Sequence, residues 1–358
     1  METKRMDGKP INGTRRLLRD TIPLSAPYSV TIFQIYACNF KCRYCIQALP
    51  PEERRGTCTE TLMTMEIYRK FVDELTEMGG TKAFHFAGYG EPLLHPDIIE
   101  MVRYAKEKGV AGAVDLVTNG VLLTEKMIHG LVDARLDRLR ISLQGLDAAR
   151  YEEMCDAKID FEKFLETLAY LYEHRGSMKV YLKILDVELK GHSEEEFIRM
   201  FGAYADEIAV EHLVPIATEI DYAKEFQQES FDSTMGGVAV QEAEICPQAF
   251  YFLQINPDGD LRPCCMSEKP IVAGNILRRH LRDIWEGPIL QEFRRKQLQR
   301  RKHEYPVCKK CTQYRYGLWP EDCIDDAAEE LLQRCFGAQE HLPGENCGCM
   351  PCMGVMTG

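Results

Sequence analysis

Between residues 29 and 214, short runs of apolar, β-branched and aromatic residues alternate with stretches whose apolar positions recur every three or four residues. The short runs read as strands at 29–37, 83–87, 113–118, 138–143, 179–186 and 207–214. The longer stretches read as helices. One spans 59–78 and stops at Gly79-Gly80, one spans 98–108 and stops at Gly109, and others cover 125–134 and 193–204. Residues 147–174 carry one long or broken helix. Strands alternating with helices predict βαβ units and a parallel sheet. Right-handed crossovers curl such a series into a partial (β/α)6 TIM-like barrel, with the chemistry collected at one rim.

The pattern then changes. Residues 216–245 are polar, contain Gly236-Gly237, and read as a linker. Runs at 249–256 and 260–264 flank Pro257-Asp258-Gly259, a turn between two strands. Residues 281–301 read as one basic amphipathic helix, and from Pro343 onward the chain is rich in Gly, Cys and Met. The expected division is an extension at 1–27, a core at 28–215, the linker, a small α+β cysteine-rich domain at 246–322, and a cysteine-rich tail at 323–358.

Charge and cysteine content narrow the chemistry. A net charge of −12 argues against gripping nucleic acid or an anionic membrane through bulk charge. No run reaches the roughly 18 apolar residues of a membrane span, and no apolar stretch follows Met1 to Arg5 as in a signal peptide. A cytoplasmic location is therefore expected, where thiols stay reduced. There, 15 cysteines suggest metal ligation before disulfides. Cys58 and Cys155 stand alone and read as plain buried thiols, whereas 38–45, 308–311 and 347–352 form groups.

Cys38, Cys42 and Cys45 have the form C-x3-C-x2-C directly after the first strand. Three thiolates on one loop can hold three irons of a 4Fe–4S cube and leave the fourth open. This motif, with aromatic Tyr44 before its last cysteine, resembles that of the radical S-adenosylmethionine (SAM) superfamily. The resemblance implies that the open iron binds SAM, that reduction cleaves it to a 5′-deoxyadenosyl radical, and that a flavodoxin- or ferredoxin-type protein donates the electron. Gly88-Tyr89-Gly90-Glu91-Pro92 resembles the family's glycine–glutamate motif at the SAM amino group. Asn119 and Ser142 look like its polar strand ends, and Lys183 can meet a carboxylate. Read without the family, Glu91 is a helix N-terminal acid, Asn119-Gly120 a turn, and Lys183 a snorkelling surface cation.

Cys246, Cys264, Cys308 and Cys311 form a second constellation, a C-x2-C pair plus two distant cysteines. Alone, it fits a four-thiolate cluster or a zinc knuckle. It resembles the SPASM/twitch extension of radical SAM enzymes, which implies one fully ligated auxiliary 4Fe–4S cluster. A full SPASM domain carries further cysteines soon after the C-x2-C pair, and residues 312–322 have none. The arrangement resembles that of aminocyclitol dehydrogenases and related sugar-modifying members. Cys265 is a spare thiol or a hydrogen donor to a substrate radical, and Cys347, Cys349 and Cys352 offer a further metal site or a flexible tail.

The expected activity is oxidation or epimerisation of a carbohydrate- or aminocyclitol-like small molecule. A peptide maturase is the alternative. Only about 28 residues precede the first strand, too few for a leader-binding domain. A non-catalytic iron–sulfur electron carrier is a third reading. Asp186, Glu188, Glu211 and His212 lie near strand ends without an assigned role.

Overall fold

The computed structural model describes residues 3–5, 15–54 and 61–337. Cys58 and the 347–352 cysteines lie outside these residues. Six parallel strands form the centre: β2 (Ser29–Ile32), β3 (Thr81–Phe86), β4 (Ala111–Thr118), β5 (Arg138–Leu143), β6 (Lys179–Leu185) and β7 (Glu207–Glu211). β1 (Lys4–Arg5) adds to the far edge of β7. β8 (Phe252–Ile255), β9 (Asp260–Arg262) and β10 (Gly274–Asn275) continue the sheet beyond β2. The order is β1-β7-β6-β5-β4-β3-β2-β8-β9-β10, and helices cross between the central strands.

The expected parallel α/β architecture of a partial barrel is present, and its two faces differ in kind. Outward residues such as Val30, Phe84, Val114, Leu139, Ile141 and Leu182 are fully buried under the helices. The inner face is polar. Buried Asp115 on β4 is bonded by Arg138, stands 3.4 Å from His85, and lies 4.0 Å from Arg140. Burial alone would raise its carboxyl, yet the bonds from His85 and Arg138 hold it down at about 2. The concave side is thus a charged network.

Three elements depart from the periodicity. The helix expected over 59–78 is Met65–Glu77, because residues 61–63 pair with the chain after β2. Tyr36 N–H donates to Thr61 C=O and Met63 N–H to Gln34 C=O, both at 2.9 Å, and Thr64 then caps the helix. The basic helix expected over 281–301 is two, Leu281–Trp285 and Pro288–Leu298, because Pro288 has no N–H to continue the first. The strand expected from 249 begins at Phe252, after a helical turn at Gln248–Tyr251.

β8 lies parallel to β2 in the register Ser29↔Phe252, so the cysteine-rich hairpin is built onto the barrel's own sheet. Residues 216–245 also fold back. Tyr222 OH donates to Tyr44 C=O at 2.7 Å, and Arg43 pairs with Glu225 at 2.5 Å. The Ala328–Phe336 helix returns to the core through fully buried Leu331, and Arg334 donates to Arg19 C=O at 2.7 Å.

Trp285 fastens the ends together. Its ring is buried under Arg294 at 4.0 Å, and its Nε1–H donates to Leu24 C=O at 2.9 Å. Trp285→Ala should cost about 3–5 kcal/mol of stability. Trp285→Phe, which keeps most of the ring but loses the donor, should cost about 1–2 kcal/mol. Urea unfolding midpoints measure both.

Candidate functional site

β2 feeds an extended segment into the loop carrying Cys38, Cys42 and Cys45. The loop is held from below by the Ala148–Cys155 helix, whose last carbonyls have no partner within the helix. Lys41 N–H donates to Cys155 C=O at 2.8 Å and Arg43 N–H to Met154 C=O at 2.9 Å. Phe40 is buried against Tyr151, and its N–H reaches Cys38 Sγ at 3.4 Å. Burial, with repulsion from the neighbouring thiols, pushes Cys38 and Cys45 up to about 12. Both are therefore protonated near neutrality, and a metal taking these sulfurs must displace the protons.

The glycine–glutamate segment ties three strand ends together. Gly88 has φ +131°, and a Cβ there would stand 2.8 Å from the Phe33 ring. Gly90 lies so close to the Ile35 and Ala37 carbonyls that any side chain would collide with them. Glu91 is buried. Its carboxylate accepts from Leu93 N–H at 3.0 Å, Thr118 OH at 2.5 Å and Asn119 N–H at 2.8 Å. Burial pushes this carboxyl up, and the three donors pull it back. Glu91 therefore carries three partners of the chain's own, two on Oε1 and one on Oε2. Asn119 Nδ2 donates to Asn39 Oδ1 at 2.8 Å, which links β4 to the cysteine loop through a residue the motif did not single out.

Tyr44 OH donates to Gln144 Oε1 at 2.7 Å, and Gln144 Nε2 to Ser142 C=O at 3.0 Å. Tyr44 and Ser142 line a cavity of about 130 Å³ across the ends of β5, β6 and β7, together with Lys183, Glu211 and His212. Lys183 finds its carboxylate on the neighbouring strand, in Glu211. His212 Nδ1 lies 3.0 Å from Asp186 Oδ2. Asp186 Oδ1 is fixed by the N–H groups of Val187 at 2.8 Å and Leu213 at 3.0 Å.

A second, smaller cavity, of about 30 Å³, is lined by Cys246, Cys264, Cys308 and Cys311 with apolar walls from Ala249, Pro263, Phe293 and Val307. Burial raises all four thiols, Cys308 to about 12. Cys265 lines neither cavity. Its Sγ meets Gln313 Nε2 at 3.5 Å, and its carbonyl accepts from Tyr89 OH at 3.4 Å. Among the described residues, no three Cys, His, Asp or Glu side chains are set to share one metal ion.

Residues 33–202 match the radical SAM superfamily, and residues 246–312 match SPASM, an iron–sulfur cluster-binding domain. The chain belongs to the radical SAM superfamily. A PqqA peptide cyclase from Streptomyces rochei is 26% identical over 288 residues, spanning 73% of this chain and 76% of that protein. Two crystal structures share the fold. BtrN in complex with AdoMet and 2-DOIA aligns at 19% identity and a TM-score of 0.50, over 81% of this chain and 97% of BtrN. Streptococcus suis SuiB bound to S-adenosylmethionine aligns at 16% and 0.55, over 77% and 70%.

The two domains imply a SAM-binding 4Fe–4S cluster, SAM and an auxiliary cluster. The residues of this radical SAM protein fit them. One loop offers three thiols, Gly90 brings its backbone against the segment feeding that loop, and four thiols line one pocket with apolar walls. If the two sets work independently, replacing Cys38, Cys42 and Cys45 together by Ala should leave about four irons per chain of about eight. Replacing Cys246, Cys264, Cys308 and Cys311 should remove the other four. Iron and sulfide analysis after anaerobic reconstitution reads the result.

The structure also brings in a group with no motif of its own. Glu188 is 1% exposed, and neither carboxylate oxygen has a hydrogen-bond donor. Arg150 Nε lies 3.5 Å away, but Arg150 also serves Glu153, and desolvation pushes Glu188 up to about 8. A carboxyl raised above its unfolded value keeps its proton in the folded chain while the unfolded chain ionises. Wild-type stability should therefore fall as pH rises from about 4.5 to 8. Glu188→Gln should remove that fall, gaining about 2–4 kcal/mol over wild type at pH 8.5 and little at pH 5. Urea midpoints at the two pH values test this.

Proposed function

We propose that this radical SAM enzyme oxidises a small polyhydroxylated molecule, of carbohydrate or aminocyclitol type, in the cytoplasm, with a flavodoxin- or ferredoxin-type electron donor. The observation that carries this reading is the convergence of the Lys183–Glu211 ion pair and His212 on one cavity at the ends of β5, β6 and β7. SAM and its cluster, when bound, supply a carbon-centred radical that removes a hydrogen atom from a substrate C–H bond.

The chain's residues supply the rest. The Lys183–Glu211 pair offers a donor and an acceptor to hydroxyl or amino groups. Asp186 holds His212 through Nδ1, which leaves Nε2 to accept a hydroxyl proton as the alcohol becomes a ketone. One electron then remains to leave the substrate, and the four-thiol cavity is where the chain can hold a group to accept it. Placement of Cys265 beside Gln313, outside both cavities, favours oxidation over epimerisation by that thiol. Peptide maturation is the second reading, favoured by the similarity to PqqA peptide cyclase.

Reduced, reconstituted protein given SAM should release 5′-deoxyadenosine, and a panel of aminocyclitols and sugars should yield a product two hydrogens lighter. An electron carrier would release no 5′-deoxyadenosine. Turnover confined to a peptide panel would establish the second reading instead. His212→Gln should cut ketone formation about 100-fold or more and steepen its pH dependence. Wild-type turnover in that variant would remove His212 as the base.

A further inference from the structure

The sulfurs of the cysteine loop are not served alike. Cys38 Sγ receives Phe40 N–H at 3.4 Å, and Cys45 has the N–H groups of Ile46 and Gln47 beside it. The N–H groups flanking Cys42, those of Lys41 and Arg43, are taken by the carbonyls of Cys155 and Met154. A buried side chain takes their place beside the sulfur, and with no metal bound Cys42 S–H donates to it. Cys155 Sγ lies 3.4 Å from Cys42 Sγ, and Tyr44 is near, but its hydroxyl proton goes to Gln144. Cys155 is fully buried and Cys42 is 8% exposed, so water does not replace this contact. The helix end that withdraws the backbone donors from Cys42 thus presents a thiol to it.

A sulfur bound to iron is a thiolate and only accepts hydrogen bonds, so the proton between these two sulfurs then belongs to Cys155. We propose that Cys155 is a positioning residue whose S–H donates to the Cys42 thiolate and sets how readily the cluster held there accepts an electron. The inference rests on the reading that Cys38, Cys42 and Cys45 hold that cluster. A hydrogen bond to a ligating sulfur draws charge from the metal and favours the reduced state.

The test uses the full chain, reconstituted without oxygen, as wild type, Cys155→Ala and Cys155→Ser. The readouts are iron content, thermal midpoint, and the reduction potential of the electron paramagnetic resonance signal that changes on adding SAM. Cys155→Ala should keep its iron and shift that potential downward, while Cys155→Ser, which retains a donor, should return it toward wild type. Loss of the cluster in Ala but not in Ser would also support the role. Equal potentials in Ala and wild type would overturn it, and so would equal changes in Ala and Ser. A failure of the underlying reading looks different. Wild type would then lack a SAM-responsive signal, or Cys42→Ala would keep all of the iron.

Discussion

The buried carboxylate of Glu91 is the constraint around which the rest of the site is arranged. Three strand ends must meet at one rim, and each arrives with backbone groups that need partners away from water. Glu91 answers several of these at once. Its oxygens take the Thr118 hydroxyl and the Asn119 N–H from β4, and its own N–H reaches Ala37 C=O beyond β2 at 2.9 Å. Asn119 then passes the restraint on to Asn39 within the cysteine loop. A neutral or shorter side chain would leave buried donors unpaired, at about 1–3 kcal/mol each. The loop's position is thus set by a polar lock at the strand ends as well as by the apolar layer outside the sheet.

The second cavity takes its place from a different constraint, the parallel pairing of β8 with β2. That pairing carries the hairpin onto the barrel edge from which the cysteine loop emerges. The aromatic cluster of Phe33, Tyr36 and Tyr89 then fills the space between them, with Tyr36 OH 3.5 Å from Asn256 Oδ1 and Tyr89 OH on the Cys265 carbonyl. One aromatic layer thus touches both the segment that feeds the cysteine loop and the hairpin that carries Cys264.

What could be read in the amino-acid order was what is local in it. The alternation of strands and helices, the three thiols of one loop, and the C-x2-C pair each lie within a short stretch. Strict alternation in Arg138-Leu139-Arg140-Ile141-Ser142 carries the signal for a polar barrel interior as well as for a strand. Distant partners left no such trace. Cys155 stands 113 positions from Cys42 and looked solitary until the helix end placed it there. The motif around Glu91 shows the residue type, and the three donors that converge on it come from the fold. Pro288 marks the break in the basic stretch, while the amphipathic pattern runs on across it.

The β2–β8 pairing also bears on how the chain is made. Ser29 must wait for Phe252 before its strand has a neighbour on that side. At ribosomal speeds of roughly 5–20 residues per second, that is an interval of about 10–45 s in which the nascent barrel has an open edge. The cysteine loop leaves the ribosome early and spends this time without the connector segment that later packs over Tyr44. Synthesis itself therefore grants these thiols an interval in which neither the connector nor the β8 hairpin is yet docked beside them.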